Sequence, residues 1–303
     1  MVDGVVRRLD AAGQLDNTYI FYTTDNGYHI SQHRMHPGKE CGFDTDINIP
    51  LIVRGPGVER GAKSLAVTAH TDLAPTFLHL AGATPRSTFD GGVMPLRQGE
   101  RAKSEHVNIE FWGNAAGEGK FGFRGDWGNI NGSVNGYRNN TYKGLRLISA
   151  TVNLYYAVWC TNEKELYDSN QDPGQVRNLL DEKQTMHADR FSIQGRGLAP
   201  VVNRLNALMM VLKSCQGDSC REPWSLLHPD DPNVDSLASA LDARFDEFYE
   251  VQPRVRFDNC ELGYIRESEG PQNVHQHGSG TGGVWTGEAD QVPMVRPDWS
   301  EWV

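Results

Sequence analysis

The chain has 303 residues, of which 38% are hydrophobic and 22% charged, and this composition excludes an intrinsically disordered protein. Acidic residues outnumber basic ones by 39 to 29, and no stretch clusters Lys and Arg, which argues against nucleic acid as a partner. No apolar run approaches the roughly 20 residues that a membrane span requires. The first residues also lack the pattern of a signal peptide.

The first hundred residues follow the pattern of an α/β layer. Apolar residues at helical spacing predict a first helix that ends near Gly13. The β-branched and aromatic run over residues 19–24 predicts a buried strand followed by a turn, and residues 49–53 predict a second strand. Residues 71–82 have the pattern of a capped helix. This order of elements predicts the α/β class.

The pattern changes near residue 105. Short apolar segments at residues 106–112, 143–148 and 153–159 are separated by turns and predict an antiparallel sheet. Two helices are expected after them, near residues 202–213 and 237–249.

The turn after the first predicted strand carries two oxygen donors, Asp25 and Asn26. Open α/β sheets place ligand-binding groups at the carboxyl ends of strands. A carboxylate and an amide carbonyl suit Ca²⁺ or Mg²⁺, although calcium takes six to eight oxygens and therefore needs further donors. An Asp-Asn-Gly turn is common by itself. The metal interpretation therefore depends on the surrounding sequence.

The surrounding sequence resembles the sulfatase family, most closely its fungal arylsulfatases and its N-acetylglucosamine-6-sulfatase branch. The resemblance covers nearly the whole chain and rests on several short motifs. These are residues 17–33, Gly38-Lys39, residues 43–57, Asp72-Leu-Ala-Pro-Thr76, Asp90-Gly91, Glu165-Leu-Tyr-Asp168 and Asp172-Pro173. The resemblance implies an incomplete alkaline-phosphatase-like sulfatase fold followed by a smaller subdomain with an antiparallel sheet and helices.

The resemblance also divides the chain. Residues 1–104 are expected to be the C-terminal part of the sulfatase α/β catalytic domain. Residues 105–270 are expected to form the smaller α+β subdomain, and residues 271–303 a loose tail.

Carried over to this sequence, the resemblance implies that Asp25 and Asn26 are two ligands of a Ca²⁺ cofactor and that Lys39 contacts the sulfate group. A metal ion and a lysine neutralise the sulfate oxygens as charge moves to the leaving oxygen. His29 and His33 are further candidates that could line the pocket and hydrogen-bond a leaving group or a sugar hydroxyl. His29 ranks above His33 because it is closer to Asp25 in the sequence.

The chain departs from the family at the nucleophile. Sulfatases use a formylglycine made from the first residue of a Cys/Ser-x-Pro-x-Arg motif, and no Cys or Ser here has Pro two positions later. The paired aspartates that complete the family's calcium site are also lacking. We therefore expect a sulfatase for aryl or amino-sugar sulfate monoesters whose nucleophile comes from a missing N-terminal part, so that this chain alone is inactive.

Two alternatives stay open from the sequence. One is a phosphatase or phosphonate ester hydrolase of the same superfamily, although Asp25-Asn26 in place of Asp-His favours calcium. The other is a truncated or degenerate product without activity.

Cysteines and sequons point to the secretory pathway. Cys215 and Cys220 are close enough in sequence to predict a local disulfide, and sequons begin at Asn131 and Asn139 within a predicted surface loop.

Overall fold

The computed structural model describes residues 1–97, 99–100, 104–116, 136–278 and 283–287. Its described part is mixed α/β with antiparallel sheets, which confirms the expected fold class.

The regular elements are short except for one helix in the second half of the chain. The α-helices are α1 (Val2–Ala11), α2 (Asp44–Ile47), α3 (Leu73–Leu80), α4 (Thr185–Ala188), α5 (Leu198–Leu212), α6 (Asp218–Arg221), α7 (Pro223–Leu227), α8 (Leu237–Ala240) and α9 (Asp246–Glu250). The strands are β1 (Ile20–Thr23), β2 (Leu51–Arg54), β3 (His106–Phe111), β4 (Ala115–Ala116), β5 (Gly136–Tyr137), β6 (Tyr142–Ile148), β7 (Asn153–Trp159), β8 (Lys164–Asp168), β9 (Arg256–Phe257), β10 (Glu269–Gly270), β11 (Val274–His275) and β12 (Val284–Trp285).

Strands β1 and β2 pair antiparallel, with Thr23 opposite Leu51. Helix α3 contributes Phe77, whose ring meets that of Phe21 edge-on at 4.9 Å. Because side chains alternate along a strand, Tyr22 points away from Phe21, and it is 49% exposed. The expectation that residues 19–24 form a fully buried strand is therefore wrong, and β1 is half-buried.

The four-stranded sheet has the order β3-β6-β7-β8, and all its neighbours are antiparallel. Its central strands are buried on both faces. On one face Leu145 and Tyr156 join the main core with α5, and on the other Tyr155 packs with Phe43 and Ile47. The second face therefore carries the segment that contains α2.

Helix α5 confirms the helix predicted near residues 202–213 and begins slightly earlier. Gly197 precedes it and Pro200 lies in its first turn, where a missing N–H costs no intrahelical bond. The helical segment expected near residues 237–249 is confirmed, and it consists of α8, a 3₁₀ turn over Ala243–Phe245, and α9. Asp242 accepts a hydrogen bond from the backbone N–H of Arg244, which starts a new turn and separates α8 from α9.

The expectation of a loose tail is wrong for residues 271–278. Strand β11 pairs with β12, and Val274 is completely buried in the main core. Backbone groups of His275 also exchange hydrogen bonds with the Gln252 side chain at 3.0 Å. Residues 279–282 and 288–303 lie outside the described residues.

The predicted disulfide between Cys215 and Cys220 is present, with a Cα–Cα distance of 5.0 Å. A second disulfide joins Cys160 to Cys260 across 100 residues and was not predicted. Cys41 is free and buried.

The β1–β2 pair and the four-stranded sheet are separate sheets, while the domain boundary near residue 105 stays a prediction. Among the described helices, none has the length and apolar character that crossing a bilayer demands.

The two disulfides are expected to differ in their contribution to stability. Replacing Cys160 and Cys260 with Ser should lower the free energy of unfolding by about 4 to 5 kcal/mol, because a long loop is released in the unfolded chain. The same change at Cys215 and Cys220 should cost about 2 kcal/mol, since that loop is short. Urea unfolding of both double variants measures the difference, and equal losses would contradict the loop-entropy explanation.

Candidate functional site

The turn after β1 presents the two predicted metal ligands at the protein surface. Oδ1 of Asp25 accepts hydrogen bonds from the backbone N–H of Asn26 at 3.0 Å and from the hydroxyl of Thr24 at 3.2 Å. The side-chain NH₂ of Asn26 donates to the carbonyl of Gly27 at 2.6 Å. Oδ2 of Asp25 and Oδ1 of Asn26 take no part in these bonds. Asp25 is exposed and Asn26 is half-buried.

Gly27 allows this turn to lie directly against the segment that contains α2. Its N–H donates to the carbonyl of Asp46 at 2.7 Å, and the N–H of Tyr28 donates to the carbonyl of Thr45 at 2.8 Å. A Cβ at position 27 would lie 2.1 Å from the Thr45 oxygen. Only glycine therefore permits this approach without a backbone shift.

His29 and Asp46 form a buried pair. Nδ1 of His29 lies 2.9 Å from Oδ1 and 2.8 Å from Oδ2 of Asp46, and the two residues are only 4% and 3% exposed. The carboxylate also accepts from the backbone N–H of Cys41 at 3.0 Å and from the hydroxyl of Thr45 at 3.0 Å. A carboxylate acceptor holds the proton of His29 on Nδ1 and fixes the orientation of the ring.

The chain returns to His29 after a loop of unusual backbone conformation. His29 and Gly38 exchange backbone hydrogen bonds of 2.9 and 3.1 Å, which places Lys39 immediately after the residue that pairs with His29. Within the loop, Ser31 and His33 have φ values of 133° and 55°. Residues other than glycine rarely adopt these φ values, so the surrounding contacts must hold the loop in this conformation. Lys39 itself is exposed.

A cavity of about 290 Å³ lies beside this loop. Both predicted histidines, His29 and His33, contribute to its wall, as does His36. Asp25, Asn26 and Lys39 are not among the residues that line it. The lining residues are His29, His33, Met35, His36, Gly38, Glu40, Cys41, Phe43, Ala115, Ala116, Asn140 and Trp159. The structure thus brings the histidines together around one cavity and leaves the predicted calcium ligands and the lysine outside its wall.

His33 packs flat against Phe43, with ring centroids 3.9 Å apart and planes inclined by 12°. Burial lowers the pKa of His33 below its ordinary value, although the carboxylates of Asp172 and Asp46 oppose this effect. The ring is therefore mainly neutral at pH 7 and serves as a wall of the cavity.

Cys41 places a thiol beside the His29–Asp46 pair. Its Sγ lies 3.5 Å from Sδ of Met35. Burial raises the pKa of the Cys41 thiol to about 12, and the carboxylates of Asp46, Glu40 and Glu165 add to the increase. Neither Cys41 nor Asp46 was predicted from the sequence as a site residue. Asp46 lies 17 residues from His29, and no spacing rule connects the two positions.

Ionic and polar contacts connect the segments around the cavity to the four-stranded sheet and to the residues that follow it. The guanidinium of Arg146 on β6 makes two hydrogen bonds to the carboxylate of Asp44, at 2.9 and 3.0 Å. The N–H of Asp44 donates to the side-chain carbonyl of Gln175 at 2.7 Å. Glu40 accepts from the N–H of Ala116 at 2.8 Å, and its carbonyl accepts from Asn140 at 2.7 Å. The geometry of the cavity therefore depends on both halves of the chain.

Removing the Asp46 carboxylate should destabilise the protein. Asp46→Ala leaves the buried Nδ1–H of His29 and the N–H of Cys41 without an acceptor, so the free energy of unfolding should fall by about 2 to 4 kcal/mol. Asp25→Ala, at an exposed carboxylate, is the matched control and should cost less than about 1 kcal/mol. Urea denaturation measures both losses, and an Asp46→Ala variant as stable as the control would refute a structural role for the buried pair.

Comparison with known proteins shows that the chain is similar to sulfatases. A family model described as Sulfatase matches residues 1–83. A sulfatase of Metarhizium majus is 40% identical over 89% of this chain and 54% of its own length. An arylsulfatase of Chlamydomonas reinhardtii is 33% identical over 86% of this chain and 39% of its own length. The N-acetylglucosamine-6-sulfatase of Homo sapiens is 30% identical over 86% of this chain and 43% of its own length.

The chain thus spans about half the length of the curated relatives that it matches, or less. The family model covers the segment with Asp25, Asn26, His29, Lys39 and Asp46. Through this match and through three curated relatives at 30 to 40% identity, the chain is similar to the sulfatase family.

Proposed function

We propose that this chain is part of a sulfuric ester hydrolase that acts on aryl or amino-sugar sulfate monoesters with the help of Ca²⁺. The observation that carries the proposal is the arrangement of residues 25–46. Backbone hydrogen bonds hold this arrangement together. They join the β1 turn, which carries the oxygen donors, to the segment with Asp46, and they join His29 to Gly38, the residue before Lys39. A side-chain hydrogen bond connects His29 to Asp46. The names of the relatives, which include arylsulfatase and N-acetylglucosamine-6-sulfatase, support the substrate class.

The donors of the β1 turn fit a hard cation. Because the NH₂ group of Asn26 is committed to the carbonyl of Gly27, the amide oxygen Oδ1 is the atom left to bind an ion. Asp25 offers Oδ2, since Oδ1 already accepts two hydrogen bonds. Two donors are fewer than the six to eight that calcium takes, so the remaining ligands come from other residues or water. When bound, Ca²⁺ would neutralise sulfate oxygens and stabilise developing charge.

Lys39 and His29 have complementary roles in this proposal. The ammonium of Lys39 offsets the negative charge of the sulfate group as the ester bond breaks. His29 has Nδ1 engaged by Asp46, so Nε2 is the nitrogen available to a substrate group in the cavity. The imidazolium form carries a proton on each ring nitrogen, and donation of the Nε2 proton to the leaving oxygen would assist departure of the alcohol or phenol.

The proposal places the nucleophile outside this chain. None of its Cys or Ser residues begins a Cys/Ser-x-Pro-x-Arg motif. Electrostatic stabilisation by a lysine and a metal does not replace a nucleophile. The catalytic step therefore requires a polypeptide that joins this chain to a formylglycine-bearing segment.

Substitutions in such a polypeptide test the assigned roles. Lys39→Ala should lower kcat/KM for an aryl sulfate by about 10²- to 10³-fold, because a positive charge is removed from the transition state. Asp25→Ala should reduce turnover to background because the metal is displaced. Hydrolysis of a chromogenic aryl sulfate provides the measurement.

Two surface substitutions serve as controls for this experiment. Lys63→Ala and Asp10→Ala also remove one exposed charge each, and both should leave turnover unchanged. If Lys39→Ala behaves like Lys63→Ala, Lys39 is a solvated surface residue and the sulfate contact is wrong.

The 303-residue chain by itself should show no turnover of an aryl sulfate and should bind calcium with a dissociation constant above about 1 mM, because most of the coordination shell would be water. Isothermal titration measures the affinity, and the chromogenic assay measures turnover. Calcium-dependent turnover that Asp25→Ala abolishes would show that the nucleophile lies within the chain after all.

A further inference from the structure

Two residues of the wall of the 290 Å³ cavity, His29 and Cys41, lie beside the buried Asp46 and form with it a second group of potential metal ligands, distinct in chemistry from the calcium donors. One ring nitrogen of His29, Sγ of Cys41 and one carboxylate oxygen of Asp46 lie within 4.8 Å of one another. All three residues are buried, with exposed fractions between 3 and 8%. The cluster therefore combines nitrogen, sulfur and oxygen donors at one point in the protein.

From this geometry we propose that His29, Cys41 and Asp46 form a binding site for Zn²⁺. Imidazole, thiolate and carboxylate are the three ligand types that zinc takes in proteins, whereas Ca²⁺ prefers oxygen donors alone. Tetrahedral ligands at zinc distances lie roughly 3.3 to 3.8 Å apart. Since Nδ1 of His29 lies 2.8 Å from Asp46, these two side chains would move slightly apart as zinc replaces their hydrogen bond. The proton of the Cys41 thiol and the Nδ1 proton of His29 would be released to solvent.

The surroundings favour zinc over a hard cation. Met35 adds a second polarisable sulfur, since its Sδ lies 3.5 Å from Sγ of Cys41. Soft ligands of this kind select transition metals over calcium or magnesium. His29 and Cys41 also line the cavity, which leaves room for a water molecule or a small ligand at the fourth zinc position.

The backbone around the cluster is preorganised. The Cys41 N–H donates to Asp46, and His29 pairs with Gly38 through two backbone hydrogen bonds. The segment with Asp46 is in turn bound to the Asn26–Tyr28 region through Gly27. Three ligands that are already held close lose little conformational entropy when an ion binds.

The cysteine composition of the chain gives this proposal a specific spectroscopic test. Of the five cysteines, four form the two disulfides, and Cys41 is the only free thiol. Co²⁺ occupies zinc sites and gives a thiolate-to-cobalt charge-transfer band in the near ultraviolet when a cysteine is a ligand. Any such band in the disulfide-intact protein therefore reports Cys41.

The experiment titrates the metal-free 303-residue chain with Co²⁺ and then displaces the cobalt with Zn²⁺. We expect one equivalent of Co²⁺ to produce the charge-transfer band and one equivalent of Zn²⁺ to remove it, with a rise in melting temperature because the ion binds the folded state. A protein that binds no cobalt, or binds it without the band, overturns the proposal.

Variants identify the ligands independently of folding defects. Cys41→Ser and His29→Gln should each weaken Zn²⁺ binding by at least about 100-fold, since each removes one ligand. His70→Ala and His79→Ala, at histidines outside the cavity wall, should leave the dissociation constant unchanged. Equal affinity of the wild type and Cys41→Ser would also overturn the site. These measurements need no turnover, so their outcome is separate from that of the proposed hydrolase activity.

Discussion

The hydrogen bonds between Nδ1 of His29 and the carboxylate of Asp46, at 2.8 and 2.9 Å, join two parts of the chain that are 17 residues apart. An ionic acceptor buried this deeply is stable only when its oxygens are engaged, and Asp46 also accepts from Cys41 and Thr45. The pair therefore fixes the ring that faces the cavity and the backbone that leads to Lys39. The shape of the candidate site depends on this one carboxylate.

The second constraint is the attachment of the site to the four-stranded sheet. Arg146 is 6% exposed and holds Asp44 through two parallel hydrogen bonds, while Phe43 and Ile47 pack against Tyr155 on the same face of the sheet. A bidentate arginine contact specifies orientation as well as proximity. The sheet therefore acts as a rigid support for residues 43–47, and Asn140 and Trp159 also line the cavity.

Much of the fold could be predicted from local pattern. The strands β3, β6 and β7 and helix α5 were expected because their apolar residues recur with a clear period, and the local Cys215–Cys220 bridge followed from a short separation. The features that were not predicted depend on contacts between residues that are distant in sequence. The Cys160–Cys260 bridge spans 100 residues, and the burial of Val274 depends on a core that no local pattern reveals. At the site, its closeness to Asp25 in the sequence indicated His29, but its partner Asp46 and the neighbouring Cys41 come next to it only because the loop folds back.

We propose that residues 25–46 form the metal and sulfate site of a sulfuric ester hydrolase. A crystal structure of the chain with inorganic sulfate and calcium above its dissociation constant tests this most directly. The account predicts a calcium ion about 2.3 to 2.6 Å from Oδ2 of Asp25 and Oδ1 of Asn26, with Nζ of Lys39 in contact with a sulfate oxygen. Calcium bound to other oxygens, or sulfate held away from Lys39, would contradict it.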